Sequence, residues 1–161
     1  MDKDAADHAI SLLRDNGAEY AEARLENSTL NSFILKDGTP QVSSLDTVQG
    51  IGIRFLLNGT MSFASTNQLN KNNITALIQR AIKTTKSAQR IQDKITFGKE
   101  KAYTDTYEVK QKKKLHNVDI SEKIKLFMDA DKAIRTIKNI KILGNFLSYS
   151  EETLHEYYVN S

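Results

Sequence analysis

Hydrophobic and polar positions change period along this chain, and the period predicts the elements. From Asp4 to Asn16, Ala6, Ala9, Ile10 and Leu13 recur at three- and four-residue intervals, the spacing of one helix face. Gly17 follows, and glycine accepts the left-handed conformation that ends a helix. The period then drops to two. Ala21, Ala23 and Leu25 alternate with Glu22, Arg24 and Glu26, as in a strand with one buried face. Further strands are expected at Leu30 to Leu35, Gln41 to Thr47 (Val42 its clearest inward residue), Gly50 to Leu57 and Thr60 to Ser65. Asp37-Gly38 and Asn58-Gly59 stand between pairs of these runs, and such dipeptides supply the positive φ that two-residue hairpin turns require. In the central run, Ile51, Ile53 and Phe55 share one face, with Gly52, Arg54 and Leu56 on the other.

The helical period returns from Leu69 to Ala88. Asn70 is placed to cap this helix, Leu69 and Ile74 have hydrophobic-staple spacing, and Ile74, Leu77, Ile78, Ala81 and Ile82 form one stripe. Periodicity fades from Ile91 to Leu115, with one short extended piece around Tyr103 to Val109. Asp119 and Glu122 have capping-box spacing before a third helix, whose apolar face would be Ile120, Ile124, Phe127, Met128, Ile134 and Ile137. Two last strands are expected at Ile140 to Tyr149 and Thr153 to Val159, separated by Ser150 to Glu152.

The pattern predicts an α+β fold: a curved antiparallel sheet with helices packed on one face, followed by a smaller, incomplete α+β unit. The expected division is 1–98 and 99–161. The second unit is expected to be truncated at its C-terminal side, because the last strand runs up to the end of the sequence.

Composition narrows the class. With 39% hydrophobic and 27% charged residues, the 161-residue chain belongs with soluble globular proteins. No apolar run approaches the roughly 20 residues of a membrane helix, and the first residues lack a secretory pattern, so a cytoplasmic location is expected. The absence of cysteine rules out disulfides and thiolate metal ligands in these residues. The formal charge of +3 comes largely from Lys110, Lys112, Lys113 and Lys114. Without interleaved aromatic residues or arginines, that run reads as a solvated loop and not as a nucleic-acid site.

Candidate chemistry is sparse. His8, His116 and His155 have no ligand spacing among them. His8 reads as surface or capping material. His155-Glu156 begins like a zinc helix motif, but no second histidine follows, and it falls in a strand pattern. Gly50-Ile51-Gly52 lacks a third glycine and joins strand to strand, unlike a dinucleotide loop. Ser62, Ser65 and Thr66 have no local histidine base. Arg54 reads either as a carboxylate or carbonyl binder in a cleft or, the preferred reading, as a solvent-face residue. Asn67 reads first as a residue closing the strand-to-helix corner. Arg54, Phe63 and Asn67 are the candidate substrate-binding residues; no catalytic or metal residue is assigned.

The order of these motifs is distinctive. GAEYAEARLE, LKDG and GIGIRFLLNGTMSFASTNQLN, followed by a long helix, resemble the N-terminal region of the TldD/PmbA family, also called modulators of DNA gyrase. Gly17, Ala18, Tyr20, Ala21, Glu22, Arg24, Gly50, Gly52, Arg54 and Phe63 to Asn67 stand at the family's positions. Tyr103-Thr104-Asp105, Val118 to Lys123 and Asn160-Ser161 resemble its second region. The resemblance implies a zinc metallopeptidase, or a paired subunit of one, that processes or degrades peptides and unfolded chains. The zinc motif of the family lies in a C-terminal domain, so no cofactor is expected in this chain, and zinc is implied for the full-length member. The N-terminal region would then be non-catalytic, helping to form a homodimer or a heterodimer with a paralogue and to restrict access to the zinc. The alternative is a non-catalytic partner or regulatory module acting on a toxin–antitoxin or gyrase system.

Overall fold

The computed structural model describes residues 3–88, 94–98 and 105–161. Its elements are α1 Asp4–Asp15, β1 Tyr20–Lys36, β2 Thr39–Leu57, β3 Thr60–Thr66, α2 Lys71–Ala88, a 3-10 turn Leu115–Asn117, α3 Ile120–Arg135 and β4 Phe146–Asn160. The strands form an open antiparallel sheet in the order β3-β2-β1-β4, so the fold is α+β. Two compact units result. One draws on Met1–Ser28, Thr47–Lys101 and Leu154–Ser161, the other on Thr29–Asp46 and Ala102–Thr153.

The first unit follows from its alternation. Ala21, Ala23 and Leu25 of β1 and Ile51, Ile53, Phe55 and Leu57 of β2 all point to one face of the sheet and are buried. Ala5, Ala6, Ala9, Ile10 and Leu13 of α1 cover them together with Ile74, Ile78 and Ile82 of α2. The alanines let the helix and sheet backbones approach, and the large side chains supply the stabilisation, about 1.5–3 kcal/mol for each one fully buried. Asn58 and Gly59 take φ of 51° and 76°, the left-handed pair that a type I′ turn demands, and they set the β2–β3 register. His8 donates to or accepts from Thr75 at 2.8 Å, tying α1 to α2.

Asn70 caps α2 as its position suggests: its side-chain oxygen accepts from the Asn73 N–H at 2.9 Å. Asn70→Ala is expected to cost about 1 kcal/mol of stability, the usual loss for a helix N-cap. A urea midpoint indistinguishable from that of the parent protein would refute this.

In the second unit, Phe33 is buried between Phe127 and Tyr149, with ring centroids 4.9 and 5.0 Å away. Asp119 caps α3 by accepting from the Ser121 N–H at 2.8 Å. The bond goes to the second helical residue and not the third, so the cap is an Asp cap without the reciprocal glutamate arm. The expected apolar face of α3 is only partly covered. Ile120, Met128 and Ile137 are exposed, whereas Lys123 and Asp131 are buried, at 8% and 4% exposure. Lys123 Nζ meets both carboxylate oxygens of Glu151 at 2.7 Å, and that carboxylate also accepts from Asn31 and Tyr149. Asp131 accepts from Arg135 at 2.8 Å and from the Asn145 amide at 2.7 Å.

Three expected breaks do not exist. The runs split at residues 26–29 and 48–49 are single strands, β1 and β2, and Ser150 to Glu152 lie inside β4. Strand pairing uses backbone groups, so polar side chains do not interrupt it where both faces of a strand are wet. Conversely, residues 140–145 are irregular, and so are 105–109, where a short extended piece was expected. Tyr103 and Thr104, like the side chain of Val42, lie outside the described residues.

Candidate functional site

The alternation that buries one sheet face of the first unit determines what the other face carries. From β1 it sends out Tyr20, Glu22, Arg24 and Glu26, and from β2 it sends out Gly52, Arg54 and Leu56. β3 contributes Met61, Phe63 and Ser65, because Leu56 lies opposite Met61, Arg54 opposite Phe63 and Gly52 opposite Ser65. On β4, Tyr157 and Val159 pack against the core, so Tyr158 faces outward. Residues 94–98 run alongside: the Ile95 N–H donates to the Gly59 carbonyl at 2.8 Å, and Phe97 meets the Tyr20 ring edge-on at 4.9 Å.

Glu22 is the hub. Its carboxylate receives Arg54 through two bonds, Nε at 2.8 Å and an η nitrogen at 3.0 Å, a fork that fixes the plane of the guanidinium. Tyr20 donates to the same carboxylate, and so does Tyr158 at 3.1 Å. The Glu22 side chain is 16% exposed and that of Arg54 50% exposed, so the acid is enclosed while the guanidinium reaches solvent. Burial pushes the Glu22 carboxyl up, but the bonds from Tyr20, Arg54 and Tyr158 outweigh it and hold it below the ordinary carboxylate range. The Tyr20 hydroxyl is pushed up, by burial first and then by its bond to Glu22.

A carboxyl whose folded pKa is depressed stabilises the fold above its unfolded value, roughly 4.3 for glutamate, and loses that contribution as pH falls through the folded value. Glu22→Gln is therefore expected to lower stability at pH 7 and to flatten the decline in acid. Urea midpoints at pH 7 and on the acid limb check this; a parallel decline in both proteins would count against it.

Arg54, Phe63 and Asn67 come together on this face. All three line one concavity of about 730 Å³, together with Val48, Gly50 and Gly52. Phe63 is 67% exposed, and its ring lies against Gly52: a Cβ added there would sit 3.4 Å from Cε2. Arg54 thus both lines a cleft and reaches solvent. Its partner Glu22, and the Tyr20 and Tyr158 hydroxyls that bond the same carboxylate, were not among the candidate site residues, since Glu22 is 32 residues from Arg54 and Tyr158 lies 136 residues beyond Glu22. Outward alternation on β1, and the place of Tyr20 and Glu22 in the family's pattern, were the signals that could have offered them.

The other candidates disperse. His116 lies in the 3-10 turn and His155 on β4, and both are exposed. The lysine run falls in an irregular segment, where Lys114 pairs with Glu108 at 3.3 Å. Among the described residues no group of three or more His, Cys, Asp or Glu side chains could hold a metal ion. Zinc takes three or four such ligands, so these residues do not fit it. Among them, too, no helix is long and apolar enough to cross a membrane.

Comparison with known proteins gives a consistent set of likenesses. Residues 21–85 match the family described as PmbA/TldA metallopeptidase domain 1. A metalloprotease of Methanocaldococcus jannaschii is 30% identical over 134 residues, covering 83% of this chain and 29% of the relative. A crystal structure from Bacteroides thetaiotaomicron, described as a candidate modulator of DNA gyrase, superposes with a TM-score of 0.78 at 20% identity, over 98% of this chain and 36% of the other. A similarly described protein from Thermotoga maritima gives 0.69 at 15% identity, over 96% and 34%. The two structures show a shared fold. The chain spans under a third of the curated relative's length.

Proposed function

We propose that this chain, whose residues 21–85 match the first domain of the PmbA/TldA metallopeptidase family, is the non-catalytic N-terminal part of a peptide-processing metallopeptidase, and that its outer sheet face holds peptide for the catalytic part. The observation that carries this reading is the convergence of Arg54, Phe63 and Asn67 on one groove of about 730 Å³. A guanidinium fixed by Glu22 keeps N–H donors free for a peptide carbonyl, and the exposed ring beside it offers an apolar surface. This combination positions a chain without cutting it. The zinc, under this reading, is held by residues outside this chain, and assembly with a second copy or a paralogue restricts access to it.

The test uses the full-length protein with a reporter peptide. Arg54→Ala and Phe63→Ala are each expected to raise KM about tenfold, the equivalent of one lost charge-assisted bond or apolar contact, and to leave kcat within about twofold. Unchanged KM in both variants overturns the assignment of the groove to peptide.

A further inference from the structure

The groove also has a preference written into it. Phe63 lies against Gly52, which has no Cβ to displace its Cε2 and Cζ, and the residue is 67% exposed. Arg54, its partner in the β2–β3 register, is held in plane by the two bonds to Glu22. Two planar groups therefore stand side by side, the guanidinium already held in place, so a ligand that meets it gives up little of that side chain's freedom.

Charge narrows the ligand further. The charged residues lining the groove are Glu22, Arg24, Glu26 and Arg54, two acids and two bases, so the groove as a whole is neutral. Glu22 is heavily engaged, with three donors on Oε2 and the Arg54 Nε on Oε1. Arg54 still has unused N–H donors on its exposed side. The groove is thus complementary to a neutral group that accepts hydrogen bonds, and a peptide carbonyl is such a group, whereas an ionised side chain gains no net attraction from a lining of two acids and two bases.

We infer that the groove selects a neutral, extended peptide segment bearing an aromatic side chain, the ring stacking on Phe63 while the adjoining carbonyl accepts from Arg54. This rests on the assignment of the groove to peptide and adds to it the class of peptide. Aromatic pairing adds to the contribution of buried area alone, so an aromatic side chain is favoured over an aliphatic one of similar size by about three- to tenfold.

The experiment titrates the ¹⁵N-labelled protein with four capped tripeptides, acetyl-Gly-X-Gly-amide with X as Trp, Leu, Glu or Lys, and follows the amide shifts of Gly52, Arg54 and Phe63. The expected result is that the Trp peptide binds three- to tenfold tighter than the Leu peptide. The Glu and Lys peptides should be weakest, and the Trp affinity should barely change between about 0.05 and 0.5 M salt, a range in which screening would erode an ionic contact. Phe63→Leu, which keeps an apolar surface at an exposed position, should abolish the Trp-over-Leu preference while the core amide shifts stay in place. Equal binding of Trp and Leu, or a Glu or Lys peptide binding best, overturns the aromatic selectivity and leaves the peptide groove standing. If none of the four peptides moves the groove amides, the groove reading itself falls, and the selectivity with it.

Discussion

Replacing Phe55 with alanine is expected to cost about 3–5 kcal/mol, the range for emptying a large aromatic site in a core that relaxes only partly. Phe55 is fully buried and lies in the same row as Ile51 and Ile53, beneath α1 and α2. Both helices depend on that row, so the cavity would loosen the contacts that define the unit. Phe63 supplies the control. It is the same residue type eight positions on, but it faces outward at 67% exposure. Phe63→Ala should change stability by no more than about 0.5–1 kcal/mol, as for most surface substitutions. The chain has no tryptophan, so unfolding is best followed by far-UV circular dichroism in urea. A loss below about 1 kcal/mol for Phe55→Ala would mean that the core is not organised as described.

The second large effect is expected at Lys123. Its ammonium is enclosed against Glu151 on β4, with side-chain exposures of 8% and 13%. Removing one partner of a buried pair typically costs about 3–5 kcal/mol, because the other charge is left without its counter-ion. Here Glu151 keeps Asn31 and Tyr149 as donors, so the loss on Lys123→Ala should lie lower, at about 2 kcal/mol. The pH dependence gives a second readout. Burial pushes the Glu151 carboxyl up, but Lys123, Tyr149 and Asn31 hold it below the ordinary range. Its contribution is therefore present above the unfolded value, roughly 4.3, and disappears as pH falls through the folded value. Lys123→Ala should flatten that acid limb. Lys123→Met, which restores the apolar stem without the charge, should recover part of the packing but none of the acid dependence. If Lys123→Met retains the full acid decline, the pairing with Glu151 is not its source.

What could be read in the sequence was what local rules write down. The alternation of Ala21, Ala23 and Leu25, the Ile51-Ile53-Phe55 row, Asn58-Gly59 and the caps Asn70 and Asp119 each act over a few residues, and each appears in place. Strand lengths were harder to read because β1 and β4 continue through polar stretches such as Glu26 to Thr29 and Ser150 to Glu152, which contribute backbone bonds without a hydrophobic signature. The α3 face was harder still. Lys123 and Asp131 are buried because Glu151 and Asn145 wait for them on distant segments, and no window along the helix contains that information. The groove divides in the same way. Arg54, Phe63 and Asn67 stood out within one short stretch, whereas the Tyr20–Glu22–Tyr158 arrangement that holds Arg54 needed the sheet to assemble it.

The strand order leaves β4, fifteen residues long, as one border of the sheet, with β1 as its one strand neighbour among the described residues. An open strand edge invites lateral addition of another chain and so aggregation. β4 answers with the charged Glu152 and Glu156 and with no apolar run longer than Tyr157-Tyr158-Val159. Charged side chains on a border strand disfavour its lateral pairing with another chain. With a formal charge of +3 at pH 7 and a pI near 9.0, the chain loses net charge in mildly basic buffer, so a medium nearer neutrality keeps copies apart while Glu151 still stabilises the fold.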